Sequence, residues 1–248
     1  MGSATFIQTS FAGGAWSPFN QGRYDHAWYR KSMAVSENGF PLSSGGWVRR
    51  PGTQLAGPTR NGAKAALIPF SFENNDPYVI ELTEGFLRYF QGPSLATDET
   101  ATVTDISTAT PAVVTLGSGV TWATGEQVVF NLSDAAAKAA APLLAARTFV
   151  ITMLTTTTFS LSDPIVGASV DGSTLGWAAD LIVTAGRVAE TVTPYTAAQV
   201  GAVRGVQNET DMVLLQGDTF PQILTATPPD GDAPAVFELN PAEFVDGP

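Results

Sequence analysis

The chain has 248 residues, 44% of them hydrophobic and 14% charged, enough for one or two domains with real cores. It has no cysteine and one histidine, which excludes disulfide frameworks, thiol nucleophiles and thiolate metal sites and leaves little room for zinc or paired-histidine chemistry. Its formal charge is −11, with seven basic and two acidic side chains in residues 1–70 but five basic and 21 acidic ones after them, a balance poorly suited to gripping DNA phosphates.

The start, MGSATFIQTSFAGG, carries neither the basic nor the apolar region of a secretory signal, and no apolar run approaches the roughly 20 residues that span a bilayer, so no membrane anchor is expected. Residues 11–53 are rich in Gly, Pro, Ser and aromatics and read as extended turns around one short helix. That helix is predicted over residues 24–35, where Ala27, Trp28, Lys31 and Val35 share a face. Asn38-Gly39, Phe40-Pro41 and Gly45-Gly46 mark loops, and Arg49-Arg50-Pro51-Gly52-Thr53 reads as a basic turn.

From Ala65 the pattern becomes β. Strands over 66–72, 78–82 and 86–90, with turns at 73–77 and 83–85, form an antiparallel meander in which Pro69 marks an edge or a bulge. Gln91-Gly92-Pro93-Ser94 is a boundary, after which Thr, Ala, Val and Gly dominate. Short strands over 101–106, 112–116, 127–132, 148–154, 158–161 and 180–184 imply a small barrel or sandwich. An alanine-rich helix over 134–147 starts at Ser133 or Asp134 and is broken by Pro142.

After Gly186 a strand over 188–192 is followed by a short helix at 197–200, then strands at 203–207, 212–216, 221–226 and 235–239, with a loop at 228–232. The run 241–248 stops on a turn signal, which predicts that the chain is the N-terminal portion of something longer. The fold expected is mainly β: an antiparallel meander or propeller-like platform (residues 1–92 and 185–248) with an inserted small β-barrel (93–184) and a few short helices.

Catalytic chemistry finds little support. His26 is the only imidazole, and its neighbour Asp25 would diverge from it on a helix. The pairs Asp98-Glu99 and Asp230/Asp232 sit in polar loops without an acidic lattice, and no phosphate-binding loop or nucleophile elbow occurs. No catalytic, metal or cofactor site is expected, and the chain does not read as an enzyme.

Phe11-Ala12-Gly13-Gly14-Ala15-Trp16-Ser17-Pro18, Gly22-Arg23-Tyr24-Asp25, Gly45-Gly46 and Arg50-Pro51-Gly52-Thr53, with the aromatic meander of residues 67–90, Thr193-Pro194-Tyr195 and the closing Phe244-Val245-Asp246-Gly247-Pro248, carry a resemblance. Together they resemble the tail nozzle or tail tubular proteins of short-tailed bacteriophages. Residues 111–163 are similar to a small β-barrel inserted in such proteins. The resemblance implies a virion structural protein, made in the host cytoplasm and placed in the phage tail. It implies a ring of copies of itself, most often a hexamer, docked on portal and adaptor ring proteins and contacting tail fibre or distal tail proteins. Double-stranded DNA would pass through without specific binding. Trp16, Arg23, Trp28, Tyr29, Trp47, Arg49 and Arg50 are the expected assembly contacts, because Trp, Tyr and Arg anchor interfaces. Two alternatives are a barrel that binds a host-surface glycan, which would need exposed aromatics on it, and a cell-wall hydrolase, which the scarcity of His and paired acids disfavours.

Overall fold

The computed structural model describes residues 7–53, 55–72, 77–133, 135–145, 147–228 and 235–243, and it is mainly β, with antiparallel sheets and one closed six-stranded barrel. The predicted turn residues Glu73 to Asp76, the helix start at Asp134, the acidic pair Asp230/Asp232 and the closing residues 244–248 lie outside the described residues. The chain forms two compact units, Met1–Gln54 and Leu55–Pro248.

In the first unit, β1 (Gly14–Ala15) pairs in parallel with β2 (Ser32–Met33), and β3 (Gly39–Pro41) pairs antiparallel with β4 (Trp47–Arg49). The helix predicted over 24–35 does not form. Arg23, His26, Tyr29 and Lys31 each donate a backbone N–H to the carbonyl three residues back, giving successive tight turns and a 3-10 segment at Tyr29–Lys31. Two forces explain this. Aromatic residues and His gain little from a helix, and Ser32 and Met33 must be extended to pair with Gly14 and Ala15. The approach is close: a Cβ on Gly13 would stand 2.2 Å from Ser32 Oγ, so glycine is required there.

The second unit opens with the meander β5 (Ala66–Ser71), β6 (Pro77–Thr83) and β7 (Phe86–Gln91), followed by the short β8 (Ser94–Leu95). The chain then makes β9 (Thr97–Ile106), β10 (Val113–Leu116) and β11 (Gln127–Leu132). The helices α1 (Ala135–Ala140) and α2 (Pro142–Ala145) follow, then β12 (Thr148–Met153), β13 (Thr158–Ser162) and β14 (Val183–Val188). The last strands are β15 (Glu190–Val192), β16 (Arg204–Asn208), β17 (Asp211–Gln216), β18 (Thr219–Thr227) and β19 (Val236–Pro241).

Strands β9 to β14 close the barrel in the order β10-β13-β12-β11-β14-β9. Val114, Val128, Phe149, Ile151, Phe159 and Ala185 fill its interior and are wholly buried, so it is a packed body. Pro142 breaks the alanine-rich helix by opening α2, where its missing N–H costs nothing; Ala137, Ala141 and Leu144 of this region join the barrel core.

The remaining strands make two antiparallel sheets, β15-β7-β6-β5 and β16-β17-β18-β19, that share one core. Ile80, Leu82, Leu87 and Tyr89 from the first sheet meet Met212, Leu214, Leu224 and Phe237 from the second, and the Tyr89 and Phe237 rings stack at 3.7 Å. Burial pushes the Tyr89 hydroxyl well above the usual tyrosine value, and it donates to Thr191 Oγ1 at 2.6 Å. Pro69 lies on β5, an edge strand, where its missing N–H leaves no ladder bond broken. The barrel leaves and rejoins this two-sheet body at one point, where Ala189 N donates to Ala96 O at 2.9 Å.

Candidate assembly surface

The β3–β4 hairpin is a two-stranded ribbon, and such ribbons are marginal in water without a face to pack on. Phe40 lies opposite Val48 on one face, and Trp47 and Arg49 occupy the other. Phe40 is 57% exposed, Val48 41% and Trp47 39%, so both faces present apolar surface. The Trp47 indole lies over Gly39, where a Cβ would be 2.0 Å from its ring, and its Nε1 donates to Ser36 Oγ at 3.2 Å. Arg50 Nε donates to Asn38 Oδ1 at 3.0 Å, which steers that guanidinium, whereas Arg49 is exposed and makes no ion pair among the described residues. Asn38, Arg49, Arg50, Pro51 and Gly52 border an open hollow of about 500 Å³.

The other expected contacts lie elsewhere on the same unit. Trp16 is half-buried; its Nε1 donates to Asn20 O at 2.5 Å and its ring meets His26 at 5.3 Å. Trp16, Tyr29, Arg30 and Met33 line a cleft of about 360 Å³. Lys31 Nζ stands 5.6 Å from the centre of the exposed Trp28 ring. Arg23 is exposed and forks onto Asp25 with both contacts at 2.9 Å, which holds the Asp25 carboxyl below its ordinary range through that hydrogen bond. The structure thus brings Trp47, Arg49 and Arg50 together on the hairpin, and Trp16 and Tyr29 together in the cleft.

His26 accepts the backbone N–H of Trp28 on Nδ1 at 3.2 Å, which places its ring in a turn. The carboxylates of Asp98, Glu99 and Glu126 surround Arg187 at 2.8, 3.8 and 3.5 Å on the barrel wall. Among the described residues no group of three or more His, Cys, Asp or Glu is placed to hold a metal ion. Of the aromatics between residues 92 and 184, Trp122, Phe130, Phe149 and Phe159 are buried in the barrel and Trp177 packs against its core.

Sequence reasoning missed a buried charge network. On the face of β6–β7 turned away from the shared core, Arg88 and Glu81 stand opposite each other and pair at 2.8 Å, with side chains only 1% and 3% exposed. Arg88 also donates to Pro58 O and to Gln127 Oε1 of barrel strand β11, each at 2.9 Å, and so fastens the barrel to the sheet. Arg60 N donates to Glu81 Oε1, while its guanidinium lies over the Phe86 ring at 3.4 Å and forks onto Glu190. The facing of Glu81 and Arg88 follows from the tight turn Glu84-Gly85 between their strands; their burial depends on the barrel and residues 58–62, which local patterning does not reveal.

A scan of the chain against protein-family models finds no match, and a search of curated proteins finds none either.

Proposed function

We propose that this protein is a structural subunit of a bacteriophage tail, forming the nozzle or tubular ring of a short-tailed phage. In this role it surrounds the DNA exit channel and joins the portal–adaptor complex to distal tail parts. The observation that carries the reading is the β3–β4 hairpin, whose two faces both present aromatic or aliphatic side chains and which ends on two arginines. Such a ribbon gains a partner face by assembly, and Trp and Arg supply most of the energy when it does. The motifs around Gly13-Gly14, Gly45-Gly46 and Arg50-Pro51-Gly52-Thr53 support the same reading through their resemblance to tail proteins. The filled barrel offers no passage of its own, so a channel in this reading lies between subunits. The acidic excess suits a wall along which phosphates slide without sticking.

The test is the assembly state of the purified chain by light scattering and negative-stain electron microscopy. The expected result is a closed ring with an open centre. A chain that stays a single subunit at every concentration overturns the reading. Trp47→Ala and Arg50→Glu are each expected to weaken assembly by about 2 kcal/mol or more, and a variant that assembles as well as the parent removes that residue from the contact.

A further inference from the structure

The sheet β16–β19 buries one face in the shared core and leaves the other partly open. On the outer face Val206, Val213 and Ile223 stand directly opposite one another across three strands; Val206 is 61% exposed, and Val213 and Ile223 are half-buried. One pair further along each strand, Asp211 lies opposite Thr225, and Thr225 opposite Glu238. Both carboxylates are exposed. The face is therefore an aliphatic row beside an acidic row.

We infer that this face receives the β3–β4 hairpin of a second copy of the chain. Phe40 and Val48 would cover the Val206-Val213-Ile223 row, and Arg50, two positions after Val48 and beside Asn38, would meet Asp211 and Glu238. Two complementarities name this occupant: apolar against apolar, and the basic end of the hairpin against an acidic row. Both belong to the same chain, so every copy carries the means to engage the next. Because the two surfaces differ, the contact is head-to-tail, and repetition closes into a ring or runs on as a filament. The inference rests on the self-assembly reading above and adds the surface that the hairpin recognises.

The test uses two charge-reversed full-length variants, R50E and D211R/E238R, studied by light scattering alone and as an equimolar mixture, with circular dichroism to confirm folding. Each variant alone is expected to associate at least about tenfold more weakly than the parent, since like charges then face each other. In the mixture the acidic hairpin end of one meets the basic sheet face of the other, and association returns. If the parent assembles but mixing restores nothing, or if either folded variant assembles like the parent, the sheet face is not the receptor and the inference is overturned while the self-assembly reading stands. A parent that never assembles overturns both.

Discussion

Taking Glu81 and Arg88 out of water together is tolerable because each is held by the other and by further groups, Arg60 N on the carboxylate and Pro58 O and Gln127 Oε1 on the guanidinium. Removing one partner is another matter. Arg88→Met leaves an uncompensated buried carboxylate and is expected to cost about 3–5 kcal/mol of stability, while Arg88→Met with Glu81→Leu recovers most of that loss. Chemical denaturation of the three chains checks it; a single variant as stable as the parent shows that the network contributes nothing. Asp163 offers a pH-dependent case. Backbone N–H donation from Val166, with that of Ile165 and the Arg147 ion pair, holds its carboxyl below the ordinary range, although burial works the other way. Its folded value lies below its unfolded one, so its stabilisation is complete above the ordinary aspartate value of about 3.9 and disappears as pH falls through the folded value. Asp163→Asn should therefore lower the melting temperature at neutral pH and converge with the parent in acid. A gap that persists undiminished in acid contradicts this account.

At the scale of elements, the β pattern was legible and the first unit was less so. The meander, five of the barrel strands and the last four strands are signalled by β-rich runs between turn residues, whereas the sixth, expected at 180–184, runs over Val183–Val188. The predicted helix over 24–35 failed because its apolar spacing was met by aromatics in three-residue turns and because the end of that segment was needed as β2. Trp47, Arg49 and Arg50 stand out by residue type alone; that they share a hairpin partly exposed on both faces depends on the β3–β4 register, which the loop signal at Phe40-Pro41 does not reveal. Burial of Arg88 had no local signal, since strand β7 reads the same whether its outer face meets water or a barrel. The barrel itself is attached through two neighbouring crossings, bridged by the Ala189 to Ala96 hydrogen bond. Replacing residues 97–188 by a short Gly-Ser link is expected to leave a two-sheet body that still folds, because its core comes from the flanking strands. Loss of cooperative thermal unfolding in that variant would show that the barrel completes the core.

For the whole molecule, charge separates by region: five basic and two acidic side chains in residues 1–54, against seven and 21 in the rest. Nonspecific DNA binding grows with the number of phosphates neutralised, and the larger unit offers repulsion. The chain is expected not to retain duplex DNA in a mobility-shift assay at physiological salt; binding tighter than about 10⁻⁶ M would mean that a hidden basic surface outweighs the acidic one. The fold class was open to inspection in the sequence because it is the sum of local alternations, whereas the surface proposed to join copies emerges only once register has put distant residues side by side. The indole above Gly39 has an optical consequence. Trp47 sits partly in water, while Trp122 is sealed inside the barrel and supplies a constant background. In the proposed assembly, covering the hairpin would dry the first chromophore and leave the second alone, so the Trp47 contribution to the emission would shift to shorter wavelength as subunits join.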